Sequence, residues 1–242
     1  MGITEYKPVR NTIDIVILAV DDLPSINDRK RPLKNIQVLL VKRDIEPFNG
    51  FWTLPGGFVD YEKTITQSVN EKLQQKTGLT EIYTEQLYTY GDDLHRDPRD
   101  RVISIGYIAL VDKKMIKEEI LDDATWFWVK EKRENNQVVS IELINSITND
   151  TVRELGFDHI KIIIDAINRL ANKIMYTDIG FNLVGKQFTI GELRIAYETI
   201  VGREIPGFRR IISPKIKPTG LSTYDTKDKP DLYRPSQLYT KI

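Results

Sequence analysis

The stretch GGFVDYEKTITQSVNEKLQQKTGL fills residues 56–79 and holds a glycine pair, a helical stripe and a helix stop in close succession. Ile65, Val69 and Leu73 recur every four residues, and this narrow apolar stripe predicts a helix over 63–76. Thr77-Gly78 ends it, because glycine takes the left-handed turn after a helix at little cost. Gly56 and Gly57 stand just before the helix. They either let backbone approach a phosphate or simply turn the loop, and the residues leave both readings open.

Strands flank this stretch on both sides. TIDIVILAV (12–20) is a β-branched apolar run that predicts a buried strand. IQVLLVKRD (36–44) predicts the second strand of a hairpin, across a turn-rich loop at 21–35. RVISIGYIALV (101–111) predicts another central strand and DATWFWVKE (123–131) an aromatic-rich one, with Trp126 and Trp128 read as packing against the sheet. FDHIKIIIDAINRLANKIM (157–175) predicts a long amphipathic helix. Strands, helix, strands and helix in this order predict a mixed α/β unit that ends near residue 175.

A smaller unit follows from about Ile179. In FTIGELRIAYETIVG (188–202), Thr189 and Glu192 form a capping box and Gly202 closes the helix. EIPGFRRIIS (204–213) predicts a short second helix after a Pro-Gly turn, stopped by Pro214. KIKPTG and PDLYRPSQLYTK are strand-like on either side of the polar loop LSTYDTKDK. Helix, helix and a two-stranded ribbon with a charged tip is the order of a winged helix-turn-helix.

Composition agrees with two units, since 242 residues exceed one ordinary domain. The absence of cysteine excludes disulfides, thiol catalysis and cysteine-based zinc sites. The start lacks the pattern of a secretory signal, and the apolar run 13–20 carries Asp14 and is too short for a bilayer. A cytoplasmic location without membrane contact is the expectation. The net charge of zero hides an asymmetry: residues 203–242 hold nine Lys or Arg against four Asp or Glu, so this tail is +5 and the rest −5. A basic unit on a larger acidic one points to nucleic acid, although a solvated charged tail would look the same.

FWTLPGGFVD…TGL followed by RDPRDRVISIGYIALV resembles the Nudix fold. Adding FDHIKIIIDAINRL, KQFTIGELRIAYETIVG, FRR and RPSQLY, the chain resembles the Nudix-related transcriptional regulators, the NrtR-like proteins, over roughly residues 10–240. The resemblance implies an α+β chain: an N-terminal Nudix α/β/α sandwich with a mixed sheet, then a small C-terminal winged helix-turn-helix. The expected division is an effector-sensing domain at 1–155, a linking helix at 156–178 and a DNA-binding domain at 179–242. Such regulators control NAD metabolism or sugar use. Their partners, carried over as expectations, are an operator in double-stranded DNA, an effector such as ADP-ribose or a related phosphate or sugar, and a second copy in a homodimer.

The Nudix hydrolase signature runs glycine, five residues, glutamate, seven residues, then Arg-Glu-apolar-any-Glu-Glu-any-Gly-apolar. Gly57, Leu73, Gly78 and Leu79 keep its register. The first glutamate position holds Lys63, the arginine position Glu71, and the three helix glutamates are Lys72, Gln75 and Lys76. A divalent cation needs several anionic oxygens at close range, and two ammonium groups with an amide repel it. No catalytic residue, metal site or cofactor is therefore assigned. The alternative is a hydrolase of ADP-ribose-like nucleoside diphosphates with a metal site rebuilt from Asp60, Glu62 and Glu71. A third reading is a ligand-binding module without DNA.

What survives is the frame for a ligand. Arg43, Gly56, Gly57, Arg96, Asp97, Arg99 and Arg101 are the candidate binding residues, because guanidinium groups suit phosphate through bidentate hydrogen bonds. The competing reading of 94–101 is a salt-bridged loop of Asp97, Arg99 and Asp100. His95 and His159 have no metal-spaced partners, and His159 is read as capping or packing the long helix. For DNA the candidates are Arg209 and Arg210 on the second helix, Lys215 and Lys217 beyond it, and Lys227, Lys229 and Arg234 on or beside the wing. Pro214 shortens the recognition helix, so a wing turned into a protein-binding surface stays open beside the DNA reading.

Overall fold

The computed structural model describes residues 7–23, 34–116, 119–221 and 236–242. Strand β1 (Arg10–Asp22) is the axis of the molecule and is buried on both faces, as its apolar run, interrupted by Asp14, requires. It pairs antiparallel with β2 (Lys34–Lys42), Leu18 opposite Val38. The short β3 (Trp52–Thr53) pairs with β2, and β4 (Gly56–Phe58) with β1. Helix α1 (Ile65–Thr77) follows, then β5 (Tyr83–Tyr90) antiparallel to β6 (Val102–Leu110), which lies parallel to β1. Beyond β2 come β7 (Ala124–Glu134), β8 (Gln137–Asn145) and β9 (Thr151–Val152). The result is a mixed sheet in the order β5-β6-β1-β2-β7-β8-β9.

Alternation of side chains divides the core between the two faces. Ile13, Ile15, Ile17, Leu39 and Trp126 pack against Val69 and Leu73 of α1. The predicted stripe begins one turn late, since Ile65 in the first turn is exposed. A capping box between Thr64 and Gln67 opens α1, and Gly78 with φ 79° closes it. The other face, with Val16, Leu18, Val38, Leu40, Phe127 and Val129, packs on helix α2 (His159–Lys173) through Ile162, Ile163, Ala166, Ile167 and Leu170. Trp126 and Trp128 are both buried in the sheet packing.

The C-terminal segment forms α3 (Ile190–Val201), α4 (Phe208–Ile212), β10 (Ile216–Leu221) and β11 (Gln237–Lys241). The Thr189–Glu192 capping box is formed in both directions, and Gly202 takes the left-handed conformation at the helix end. Strands β10 and β11 pair antiparallel, which gives the ribbon of a winged helix. Helix α4 is five residues long and gives way to a 3-10 turn at Ser213–Lys215, where Pro214 cannot donate to a further α-helical turn.

This segment does not keep its core to itself. One buried cluster runs from the sheet through α2 to Leu193, Ala196, Tyr197 and Ile200 of α3 and on to Phe208 and Ile212 of α4. Arg133 of β7 locks the junction: Nη1 donates to Val201 O at 2.9 Å and Nη2 to Ile200 O at 2.8 Å, while Glu131 holds the same guanidinium at 2.7 Å. A cation at the last carbonyls of α3 also complements the helix dipole. Among the described residues no helix is long and apolar enough to cross a membrane.

Candidate functional site

A cavity of about 310 Å³ opens between the end of β2, the β4 turn, α1 and the first turn of α2. Lys42, Arg43, Lys72, Lys76, Arg96 and Arg99 line it, against Asp14, Asp44, Asp97 and Asp123. The cations outnumber the carboxylates, and the resulting positive potential favours an anion.

The floor is a buried charge network. Asp14, the one carboxylate inside the apolar run of β1, accepts from Ser104 Oγ at 2.5 Å and from Arg96 Nη2 at 3.4 Å. His159 faces its Oδ1 at 3.4 Å through Nε2, while His159 Nδ1 accepts from the Leu54 N–H at 2.9 Å. A ring that accepts at Nδ1 carries its proton on Nε2, so His159 positions β1 against the β3–β4 connection. Arg96 Nη2 and Nε reach Asp158, the N-cap of α2, at 2.6 and 3.1 Å. Asp158 makes no side-chain cap to its own helix, because Arg96 takes both carboxylate oxygens. Arg96 thus ties β1 to the start of α2 and is committed to that network, although it lines the cavity.

Burial pushes the Asp14 carboxyl up, but His159, Ser104 and Arg96 outweigh it and bring it from the ordinary 3.8 down to about 2. A carboxyl lowered in the folded state contributes stability that is fully present above its unfolded pKa and is lost as pH falls through the folded one. Stability should therefore drop by about 2 kcal/mol between pH values near 4 and 2 through this group alone. Urea unfolding followed across that range should show the drop in the native chain and a flatter profile in Asp14→Asn.

At the mouth, Arg43 and Arg99 share the ring of Phe157, their guanidinium carbons 5.2 and 5.4 Å from its centroid, and Arg99 also lies 4.9 Å over Phe58. Nε and Nη2 of Arg43 donate to Pro47 O and Glu46 O, and those of Arg99 to Asp97. Among the described residues the Nη1 of each makes no hydrogen bond. Desolvation first, and then the charge of Arg99, lowers the pKa of Arg43, as expected of two cations sharing one ring. Phe157 and Phe48 stack edge to face at 4.7 Å and both hold φ near +60°, a costly conformation for an aromatic residue.

Gly56 is fixed by packing: a Cβ there would strike Ile13 O and come within 2.9 Å of Asp14 Oδ1. At Gly57 the arm of Lys72 fills the place of a side chain, its Cε 3.2 Å from where a Cβ would sit. The acids offered for a rebuilt metal site point elsewhere. Glu71 is gripped by Lys63 at 2.8 Å and by Gln75 at 3.2 Å, and Asp60 pairs with Lys63 at 3.1 Å. None of Asp60, Glu62 and Glu71 lines the cavity. Among the described residues no group of three or more His, Asp or Glu is placed to hold a metal. The residues present do not fit the divalent ion that the signature implies.

Two of the candidate cations make contacts within the fold. Arg101 is not brought to the cavity, because its guanidinium is spent on the loop carbonyls of Gly91 and Asp93. Lys215 Nζ pairs with Asp178 at 3.0 Å, and Lys241 joins the same carboxylate at 3.1 Å. The salt-bridged reading of 94–101 holds for Arg99 with Asp97, whereas Asp100 turns out to Arg10 at 3.2 Å. Arg209 and Arg210 are exposed on α4 and Lys217 on β10. Lys227, Lys229 and Arg234 lie outside the described residues.

Residues 24–143 match the family described as the NUDIX domain, and residues 180–240 the one described as the NrtR DNA-binding winged helix domain. The ADPR responsive transcriptional repressor NtrR of Acinetobacter baylyi is 31% identical over 242 residues, covering 98% of this chain and 83% of that protein. The chain belongs to the Nudix-related transcriptional regulators. NrtR of Shewanella oneidensis, solved in complex with a 27mer DNA, superposes on this regulator with a TM-score of 0.69 at 28% identity, over 96% of this chain and 93% of that one. An ADP-ribose pyrophosphatase of Methanocaldococcus jannaschii is 40% identical over 75 residues, 31% of this chain and 44% of the enzyme.

Sequence reasoning passed over several residues of this regulator's cavity. Asp14 carried a signal, since a carboxylate inside a buried strand needs partners. Phe157 and Phe58 carried none, because their role depends on loop geometry.

Proposed function

We propose that this regulator binds ADP-ribose or a closely related nucleoside diphosphate in the cavity, without hydrolysing it, and thereby changes its hold on operator DNA. The observation that carries the reading is a cation-walled cavity whose rim is the first turn of α2. The body of that helix packs on α3. A ligand at Phe157 and at the Asp158–Arg96 pair acts on the helix that supports the DNA-binding segment. It alters DNA affinity to the extent that it binds the two arrangements differently.

In this reading residues 1–155 sense, 156–178 link and 179–242 contact DNA as one member of a homodimer. The Nη1 edges of Arg43 and Arg99 meet the diphosphate, and Phe157 and Phe58 offer faces for the base. Arg209, Arg210 and Lys217 face the duplex. The relative named as responsive to ADPR supports the choice of effector, and the displaced acids of α1 support the loss of catalysis. Calorimetric titration with ADP-ribose, paired with a phosphate-release assay in magnesium and manganese, tests it. Saturable binding without turnover is expected. Steady turnover, abolished in Glu71→Gln, would return the chain to the hydrolases.

A further inference from the structure

We infer that the ammonium groups of Lys72 and Lys76 take the place of a divalent cation, so that the cavity binds its diphosphate ester free of metal. The inference rests on the sensing reading and says how the charge of the ligand is met. Lys72 and Lys76 stand one turn apart on α1, on the side that lines the cavity. Lys72 lies along the glycine turn, its Nζ 3.8 Å from the Cβ position of Gly57. Neither lysine forms an ion pair among the described residues.

Of the other cations of the cavity wall, Arg96 is paired with Asp14 and Asp158 and Arg99 with Asp97, whereas Lys42 lies over the ring of Trp52 and Arg43 donates to the carbonyls of Pro47 and Glu46. Lys72 and Lys76 therefore bring to the wall, from α1, two ammonium groups with no carboxylate at ion-pair distance among the described residues. A diphosphate ester brings two negative charges to a site that offers two tethered ammonium groups and two guanidinium edges. A divalent ion placed between Lys72 and Lys76 would meet repulsion and few oxygen ligands. An ammonium also differs from a metal in what it cannot do. It neutralises charge but does not convert a bound water into hydroxide at neutral pH. The same substitution that holds the ligand thus preserves it, and occupancy follows the diphosphate ester rather than the supply of magnesium.

The test is calorimetric titration of the full chain with ADP-ribose, once in EDTA and once in millimolar magnesium. Equal affinity in the two media, within about twofold, is expected; binding seen only in magnesium overturns the inference and leaves the sensing reading standing. No binding in either medium overturns both. Lys72→Glu with Lys76→Glu should bind at least about 100-fold more weakly in EDTA, as loss of two charge-assisted contacts requires. Lys72→Arg with Lys76→Arg should stay close to the native affinity and shows that the charge, not the fold, is what was removed. Native affinity in the glutamate variant in EDTA would also contradict the inference.

Discussion

Replacing Arg209 and Arg210 together by alanine should abolish retention of operator DNA while leaving the fold intact. The two sit on the exposed side of α4, whose buried side is supplied by Phe208 and Ile212. Neither guanidinium has an ion-pair partner among the described residues, so the alanine variant forfeits no internal ion pair. Each contact to a base edge or phosphate is worth about 1–3 kcal/mol, and the pair on the order of a thousandfold in affinity. The salt dependence separates the two roles. A lost phosphate contact shallows the slope of log affinity against log salt by about one unit, whereas a lost base contact relaxes sequence preference instead. Fluorescence anisotropy with a labelled duplex, repeated at several salt concentrations, measures both. Unfolding midpoints equal to the native chain would show that DNA binding alone was removed.

Arg96→Met should have the largest effect on stability of any single change in the cavity. It leaves Asp14 buried beside Ser104 and His159 without its guanidinium, and it frees Asp158 at the start of α2. Removing one member of a buried charge network costs about 3–5 kcal/mol, because the other keeps its desolvation penalty without compensation. Urea unfolding should show this loss, and adding Asp14→Asn to Arg96→Met should recover part of it. Such non-additivity is the signature of one coupled network. Purely additive losses would mean that Arg96 and Asp14 stabilise the molecule separately.

The features legible in the sequence were those that local chemistry fixes. Gly78 closes α1 in the left-handed conformation, Thr189 and Glu192 cap α3, and Pro214 ends the α-helical part of α4. Strand β8 escaped because its buried residues Val138, Ile141 and Leu143 do not alternate strictly. An extra residue between Val138 and Ser140 leaves Val139 exposed as a bulge opposite Lys132 and Arg133. The Asn135-Asn136 turn, with φ of 51° and 64°, was the signal that would have revealed the β7–β8 hairpin. Strand β5 is mostly half-exposed at the sheet edge and carries little aliphatic character.

Within the site, charge type was legible and pairing was not. Arg96 and Asp158 meet across 62 positions, and Lys215 and Asp178 across 37, separations over which sequence spacing says nothing. This is why the role of Asp14 emerged only from the fold.

The most direct test of the regulator is a titration of one complex with one ligand. The full chain is bound to a duplex from its own gene neighbourhood, and anisotropy is followed as ADP-ribose is added in EDTA. The prediction is a saturable change in DNA affinity at the ligand concentrations that fill the cavity, with the ligand recovered intact. Unaltered DNA affinity at ligand saturation, or ligand recovered as its hydrolysis products, would contradict it.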